Sequence, residues 1–288
     1  MGKISVISRS IKLKNWIKNI LILVPIFFSS INFSQEIIVG IFDIFVVLSL
    51  SSSIVYIIND IIDLDDDKKD LIKKTRPLAS GEISKKNFIN LSIFLILVLI
   101  FFLFLKSNII LILTSGIYLI LNLGYSLIFK KIYLIDIIIL SLFYIIRVLA
   151  PIYYFNLDFS LWLIIIVFLS VTLVGFGKRY MDITNNLSNE NFSSLYKEKE
   201  LKILIFLSSL FLIILYLFFV ISENTTNKFG EIFYFSFVLF LLGTLRYLYS
   251  LFKKKYSDPI EIFTKDKILS FLVLFFGLFS LYSIYLTN

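Results

Sequence analysis

Residues 58–81, INDIIDLDDDKKDLIKKTRPLASG, concentrate six aspartates directly after an apolar segment. Asn59, Asp63 and Asp67 are spaced four residues apart, so they share one helical face if the preceding helix continues. Clustered carboxylates repel one another unless a cation lies among them, and oxygen ligands without nearby nitrogen or sulfur favour Mg2+ or Ca2+. The stretch therefore predicts a metal-binding site, with a solvated surface loop as the alternative.

The spacing favours magnesium with a phosphate ligand over an EF-hand calcium site. Counted from Asp63, the sixth position is Lys68 instead of the required glycine, and the twelfth is Lys74 instead of glutamate. Mg2+ takes one or two carboxylates together with substrate phosphates. Lys73 and Arg76 follow in the same loop, and arginine binds phosphate oxygens in bidentate fashion. We therefore predict a Mg2+–diphosphate site.

Further polar residues lie in or beside apolar segments. Arg147 lies inside one, where an ionisable side chain is costly and is a functional candidate. Asp136, eleven residues earlier, is the acid that we expect to interact with a basic group. Lysines near membrane boundaries also extend to the interface without binding a ligand, so position alone leaves Lys18, Lys130 and Lys178 open.

The composition excludes several chemistries and indicates a membrane protein. The 288 residues include no cysteine and no histidine, which removes disulfides, thiol nucleophiles, imidazole bases and the usual zinc sites. Charged residues make up 17% of the chain, against about 25% in soluble proteins. Apolar segments near 20 residues match the roughly 30 Å hydrocarbon core of a bilayer. We predict a single all-α domain over 1–288, a polytopic membrane helical bundle of about nine transmembrane helices.

The nine predicted spans are joined by loops with a strong charge asymmetry. Long polar loops follow at about 59–86, 178–202 and 251–267. Of the 28 Lys and Arg residues, 24 lie on the side of the N-terminus and two on the opposite side. By the positive-inside rule, the N-terminus and the three long loops face the cytoplasm. The net charge of +8 is thus explained by a lipid bilayer, with no nucleic-acid partner. The spans are predicted at about 20–33, 37–58, 87–105, 109–128, 134–154, 159–177, 203–222, 231–250 and 268–286.

The acidic stretch resembles a known family motif. NDIIDLDDD is similar to the first Asp-rich motif of the UbiA superfamily of intramembrane prenyltransferases, read as N-D-x-x-D-x-x-x-D at Asn59, Asp60, Asp63 and Asp67. The resemblance implies a UbiA-like fold. It also implies that Asn59, Asp63 and Asp67 are catalytic and bind Mg2+, and that Asp60 contributes to substrate binding.

The second motif differs from that of typical superfamily members, which carry a second Asp-rich motif after the sixth helix. Here the stretch is GFGKRYMDITNN, which offers Lys178, Arg179 and Tyr180, with Asp182 as the nearby carboxylate. A basic site suits a second anion better than an uncharged phenol. The stretch resembles the G-K-R-Y/L-x-E/D signature of the decaprenyl-phosphate phosphoribosyltransferase branch.

Two further segments resemble that branch, and the resemblance implies that five of their residues bind substrate: Lys18, Tyr125, Lys130, Asp136 and Arg147. NWIKNILILVPIF carries Trp16, Lys18 and Asn19. The other segment is YSLIFKKIYLIDIIILSLFYIIRVLA, which carries Tyr125, Ser126, Lys130, Asp136 and Arg147.

The resemblance implies Mg2+-dependent transfer of the 5-phosphoribosyl group from 5-phosphoribosyl 1-diphosphate (PRPP) to a polyprenyl phosphate in a bacterial cytoplasmic membrane, for cell-envelope polysaccharide precursors. An oligomer is compatible with it. Two alternatives stay open. One is prenyl transfer from a prenyl diphosphate to an aromatic acceptor on the same fold. The other is transport, which ranks last because transporters place charged residues near the bilayer midplane.

Overall fold

The computed structural model describes residues 3–29, 31, 33–70, 73–184, 195–253, 256 and 259–286. Within these ranges the regular secondary structure is helical. Thirteen α-helices are described, with bounds α1 Lys3–Ser10, α2 Leu23–Phe28, α3 Gln35–Ile62, α4 Leu64–Lys69, α5 Lys85–Lys106, α6 Ile109–Leu127, α7 Ile135–Tyr154, α8 Leu161–Thr184, α9 Glu198–Ile221, α10 Glu223–Phe229, α11 Phe235–Phe252, α12 Pro259–Lys265 and α13 Lys267–Leu286. Short 3-10 helices cover Leu13–Ile22, Lys73–Thr75, Phe129–Lys131 and Glu231–Tyr234.

Eight of the described helices are long and apolar enough to cross a membrane: α3, α5, α6, α7, α8, α9, α11 and α13. The chain is a multi-pass integral membrane protein, and the all-helical prediction is confirmed. The predicted first span, 20–33, differs, because it contains the end of a 3-10 helix followed by the six-residue α2. Pro25 lies in the first turn of α2, where its missing N–H is tolerated, so an α-helix begins there instead of continuing through.

The residue contacts divide the chain into two compact units, each discontinuous in sequence. Unit 1 comprises Met1–Ile26, Asn32–Lys130 and Ile146–Leu157, and unit 2 comprises Phe27–Ile31, Lys131–Ile145 and Asp158–Asn288. The prediction of a single domain stays a prediction.

Unit 1 is organised around α3, which packs against α5, α6 and the 3-10 helix Leu13–Ile22. Buried serines on α3 form hydrogen bonds to the 3-10 helix Leu13–Ile22. The Trp16 indole N–H donates to the Ser53 hydroxyl at 3.0 Å, and the Asn19 amide donates to the Ser49 hydroxyl at 3.0 Å. These bonds fix the segment before the first long helix onto the half of α3 that leads to the acidic stretch.

Unit 2 is built from α8 and α9, which pack extensively together, and from α11, α12 and α13. Asp266 lies between α12 and α13 and accepts the Ile268 and Leu269 N–H groups at 3.1 Å each. It also accepts a hydrogen bond from Ser250 at 2.6 Å and pairs with Arg246 at 3.0 Å. Burial by itself would raise the pKa of Asp266, but these hydrogen bonds and the Arg246 charge lower it to about 2. The loop before α13 is therefore tied to α11.

Candidate active site

The acidic stretch begins inside α3 and continues past its end. α3 ends at Ile62 and α4 begins at Leu64. The Asp63 N–H donates to the Asn59 carbonyl at 2.8 Å, and the Asp67 N–H donates to the Asp63 carbonyl at 2.8 Å. These two i, i+4 backbone bonds connect the three residues across the break between α3 and α4.

Each of three carboxylates in this stretch is paired with a basic side chain from elsewhere in unit 1. Asp60 contacts Lys12 at 2.7 Å and Arg76 at 3.0 Å. Arg76 also contacts Asp67 at 2.5 Å, using the same guanidinium nitrogen. Asp63 contacts Lys130 at 2.6 Å. The Asn59 side-chain oxygen accepts a hydrogen bond from Ser126. We call this set the carboxylate–cation cluster: Lys12, Asn59, Asp60, Asp63, Asp67, Arg76 and Lys130.

Two of the carboxylates are almost completely removed from solvent, which makes their charge sensitive to neighbours. The side chains of Asp60 and Asp67 are each 2% exposed, while that of Arg76 is 29% exposed. Burial raises the pKa of Asp67, and the Arg76 and Lys73 charges oppose that rise. Burial likewise lowers the pKa of Lys12 from its ordinary value, against the attraction of Asp60. In the cluster each carboxylate is thus stabilised in its ionised form by a neighbouring cation, against the effect of burial.

The chemistry of the cluster fits a hard divalent cation shared with a substrate. Among the residues that the structure describes, Asp60 Oδ2 and Asp67 Oδ1 are buried oxygens that accept no hydrogen bond. Within the same ranges no three acidic, histidine or cysteine side chains converge as a complete ligand set. The predicted ligands are two carboxylates and an amide, and Mg2+ completes such a set with water and phosphate oxygens.

Lys12 is a member of the cluster that the sequence did not predict. Its backbone lies in the left-handed region, with φ 51° and ψ 50°, a conformation that costs an ordinary residue about 1–3 kcal/mol. The turn separates α1 from the following 3-10 helix and brings the ammonium group to Asp60, 4.8 Å from the Tyr56 ring centre. Lys12 belongs to a basic N-terminal stretch, where topology alone accounts for lysines, and therefore gives no sequence signal of its own.

Three other predicted residues of unit 1 lie close in sequence to members of the cluster. Lys18 is half-buried in the 3-10 helix Leu13–Ile22, and Tyr125 is half-buried on α6, next to Ser126. Lys73 lies 3.9 Å from Asp70, although its charge still acts on Asp67.

Arg147 forms a separate buried group inside the membrane-spanning part of unit 1. It is 3% exposed. Its Nε donates to the Asn19 side-chain oxygen at 2.9 Å, and one terminal nitrogen donates to the Tyr118 hydroxyl at 3.1 Å. Arg147 thereby joins α7 to α6 and to the segment carrying Asn19, which also contacts α3. The sequence singled out Arg147 by its position in an apolar span but did not reveal these partners, and its role in substrate binding stays a prediction.

The second motif forms a cluster of its own in unit 2. Arg179 contacts Asp136 at 3.0 Å and Asp182 at 3.7 Å. Asp136 is fully buried and also accepts a hydrogen bond from the Tyr196 hydroxyl, which in turn accepts the Leu134 N–H at 2.9 Å. Burial and the Asp136 carboxylate raise the pKa of Tyr196, so the hydroxyl stays a donor. Asp136 therefore pairs with a basic group, as expected, but that group is Arg179.

Two neighbours of Arg179 are placed differently from each other. Lys178 is exposed, whereas Tyr180 is 2% exposed and packs edge-to-face on Phe252 at 5.5 Å between ring centres. Of the three motif residues, Lys178 is the exposed cation, Arg179 is held by two acids, and Tyr180 lies in the core of unit 2.

The sequence of the chain is similar to those of known proteins. Residues 22–276 match the sequence model of the UbiA prenyltransferase family. The chain is 25% identical over 276 residues to a protein from Corynebacterium glutamicum named decaprenyl-phosphate phosphoribosyltransferase. The aligned residues make up 92% of this chain and 82% of the relative. It is 24% identical to a protein of the same name from Mycobacterium tuberculosis, over 92% of this chain and 90% of the relative.

Solved structures show a similar fold at low sequence identity. A UbiA homologue from Archaeoglobus fulgidus, determined with GPP and Mg2+, superposes with a TM-score of 0.66 at 15% identity, over 96% of this chain and 99% of that one. Digeranylgeranylglyceryl phosphate synthase superposes with a TM-score of 0.62 at 19% identity, over 100% of this chain and 99% of that one. The predicted fold class is confirmed.

Proposed function

We propose, from the premise that the chain belongs to the UbiA prenyltransferase family, that this intramembrane transferase moves the 5-phosphoribosyl group of PRPP to a polyprenyl phosphate and releases diphosphate. The observation that carries the proposal is the carboxylate–cation cluster, in which buried acids and three basic side chains from distant parts of unit 1 meet. A diphosphate leaving group needs both kinds of group at once.

Bond formation and cleavage balance without a protein base. A phosphate oxygen of the lipid attacks C1 of the ribose, the bond from C1 to the diphosphate oxygen breaks, and diphosphate leaves with the electron pair. A phosphate monoester, with a second pKa of about 6, is largely ionised at neutral pH, so its oxygen attacks without losing a proton. This suits a chain that has no histidine.

In this proposal the residues of the carboxylate–cation cluster bind and neutralise the leaving group. Asn59, Asp63 and Asp67 would hold Mg2+, which when bound supplies positive charge to the departing diphosphate. Arg76 and Lys130 each lie within 3.0 Å of a carboxylate. In this proposal they would also donate hydrogen bonds to phosphate oxygens of the leaving group. Preorganised charge of this kind lowers the barrier by stabilising the developing anion.

The acceptor phosphate is assigned to the second motif. Lys178 is the exposed cation there, and Arg179 is held by Asp136 and Asp182, so Arg179 acts in this proposal mainly as a positioning residue. The presence of the GKRYMD motif in place of a second Asp-rich motif supports an anionic acceptor. The names of the relatives at 24–25% identity support the same branch. By the positive-inside count, both motifs lie on the cytoplasmic side, at the ends of α3 and α8, in line with the cytoplasmic membrane of a bacterium.

The alternative is prenyl transfer from a prenyl diphosphate to an aromatic acceptor, which the family description favours. A paired assay on purified protein with Mg2+ separates the two. One reaction receives ribose-labelled PRPP and a polyprenyl phosphate, and the other receives a labelled prenyl diphosphate and aromatic acceptors. We expect label in the lipid phase only in the first reaction. Transfer only in the second would refute the proposal.

A further inference from the structure

Unit 2 contains a cavity of about 190 Å3 whose lining includes no residue of the charged clusters described above. Its walls come from α8, α9, α11, α12 and α13, through residues such as Leu173, Val174, Leu212, Gly243 and Phe276. The lining is aliphatic and aromatic, and the Thr244 hydroxyl in the wall donates to its own helix, at the Phe240 carbonyl. The cavity therefore suits a hydrocarbon.

The aromatic walls of the cavity are fixed by their own stacking. Phe240 stacks on Tyr216 at 4.0 Å between ring centres and lies 6.0 Å from Phe276. Tyr247 stacks on Phe263 at 5.4 Å. These ring contacts restrain the side chains that line the cavity.

The position of the cavity along α8 connects it to the second motif. Ser170, Leu173 and Val174 line it. Gly177 lies one turn further along α8. A Cβ at Gly177 would lie 2.5 Å from the hydroxyl of Tyr247, a residue that lines the cavity, so the lack of a side chain at Gly177 makes room for Tyr247. Lys178 follows immediately and is exposed. Four residues of helix place Lys178 about 6 Å beyond Val174.

We propose that this cavity binds the isoprene unit nearest the phosphate of the polyprenyl phosphate acceptor, with the phosphate at Lys178. An apolar cavity of about 150 Å3 holds one benzene molecule, so the volume here suits one methyl-branched five-carbon unit. The adjoining cation complements the head group of the same molecule. This inference rests on the proposed function for the identity of the acceptor, and it names where the lipid is recognised.

The sequence offers an unusually clean test, because the chain has no cysteine. Gly243 lines the cavity, and a Cβ there would meet no other atom within 4 Å. Gly277 on α13 has the same open surroundings but does not line the cavity. Gly243→Cys and Gly277→Cys therefore introduce single thiols with matched local cost, one in the cavity and one outside it.

Each variant is reacted with a small methanethiosulfonate reagent, with and without farnesyl phosphate as the probe. We expect farnesyl phosphate to slow labelling of Gly243→Cys at least tenfold and to change labelling of Gly277→Cys less than twofold. Phosphatidylglycerol at the same concentration is the control lipid, because it carries an anionic phosphate but has no isoprenoid chain. Equal protection of Gly243→Cys by phosphatidylglycerol, or no protection by farnesyl phosphate, would overturn the proposal.

A second variant tests the same site through kinetics. Gly243→Leu fills part of the cavity with four carbon atoms, and leucine favours a helix more than glycine does, so the fold is retained. We expect the KM for the polyprenyl phosphate to rise about tenfold or more, since each buried methylene contributes about a fourfold factor, with the KM for PRPP unchanged. Gly277→Leu should match the wild type. An unchanged lipid KM in Gly243→Leu would contradict the inference.

The thiol-protection result is independent of turnover. Protection of Gly243→Cys in a protein that transfers nothing from PRPP would retain the lipid site and refute the proposed function. Transfer from PRPP without such protection would retain the function and refute the site.

Discussion

Replacing Arg76 by glutamine probes the balance of buried charge directly. One guanidinium nitrogen lies 2.5 Å from Asp67 and 3.0 Å from Asp60, and both carboxylates are 2% exposed. Breaking a buried ion pair costs about 3–5 kcal/mol. Arg76 is 29% exposed and Asp60 keeps Lys12, so we expect Arg76→Gln to lose about 2–3 kcal/mol of stability in the absence of divalent metal.

Magnesium should compensate for this loss, because it supplies the missing positive charge at oxygens that the substitution uncovers. A ligand at a hundred times its Kd stabilises the folded state by about 2.7 kcal/mol, which is close to the expected loss. In the wild type the metal must first displace Arg76 from Asp67. The Mg2+-induced rise in Tm should therefore be larger for Arg76→Gln than for the wild type.

The pH dependence of this variant has a defined sign. Burial already raises the pKa of Asp67, and losing Arg76 raises it further. Because the folded state then binds this proton more tightly than the unfolded state, stability is present at low pH and is lost as the pH rises above the ordinary aspartate value of about 3.9. We therefore expect Arg76→Gln to approach wild-type stability near pH 4 and to fall behind at pH 7.

The assay is thermal unfolding of the detergent-solubilised protein over a Mg2+ titration at pH 4 and pH 7. Lys74→Gln is the matched control, since Lys74 is an exposed cation in the same loop and its loss should change the Tm little. Arg76→Gln with wild-type stability in EDTA at pH 7, or with the same Mg2+ response as Lys74→Gln, would refute the reasoning.

Three further predictions concern the other charged groups. Lys130→Met should lower kcat/KM for PRPP at least tenfold, because Lys130 pairs with Asp63 at 2.6 Å. Lys131→Met, which changes an exposed neighbour, should retain near wild-type kinetics. Equal losses of kcat/KM in both variants would contradict the assignment of Lys130 to the site. Tyr196→Phe removes the bonds to Asp136 and to the Leu134 N–H and should destabilise the protein by about 1–3 kcal/mol in thermal unfolding. Its control is Tyr133→Phe, at 40% exposure, and a Tyr196→Phe variant as stable as that control would show that the bonds contribute nothing. The pKa of Asp266 is lowered to about 2, so its ionised form stabilises the fold fully above about pH 4, and this stabilisation is lost toward pH 2. The Tm difference between the wild type and Asp266→Asn should therefore shrink from pH 4 to pH 2. A Tm difference that stays constant over this interval would disprove the charge-based explanation.

The sequence was most informative where a residue conflicted with its surroundings. Long apolar runs predicted the spans well, because the bilayer sets both their length and their polarity. Arg147 stood out because its charge is costly inside an apolar segment. The carboxylates from Asp60 onward stood out because clustered carboxylates repel one another unless a cation lies among them. The first predicted span, 20–33, is the exception, because its described part contains the end of a 3-10 helix and the short α2.

The pairings within the site were beyond reach of the sequence because they depend on backbone turns and distant elements. Lys12 reaches Asp60 through a left-handed turn 48 residues away, and a lysine in a basic segment carries no signal for that. Arg179 was expected to add positive charge to an anion site, but Asp136 and Asp182 hold it. Spacing along one chain cannot report which acid lies beside which base when they come from different helices.

The product of the reaction tests the central claim most directly. Purified protein is incubated with Mg2+, PRPP and a polyprenyl phosphate, and the lipid extract is analysed by mass spectrometry while released diphosphate is quantified. The account predicts a lipid heavier by one phosphoribosyl group, formed one-to-one with diphosphate, lost in Asp63→Asn and retained in Asp65→Asn, which makes the same charge change at an exposed neighbour. An unmodified lipid with wild-type protein, or equal product from Asp63→Asn and the wild type, would contradict it.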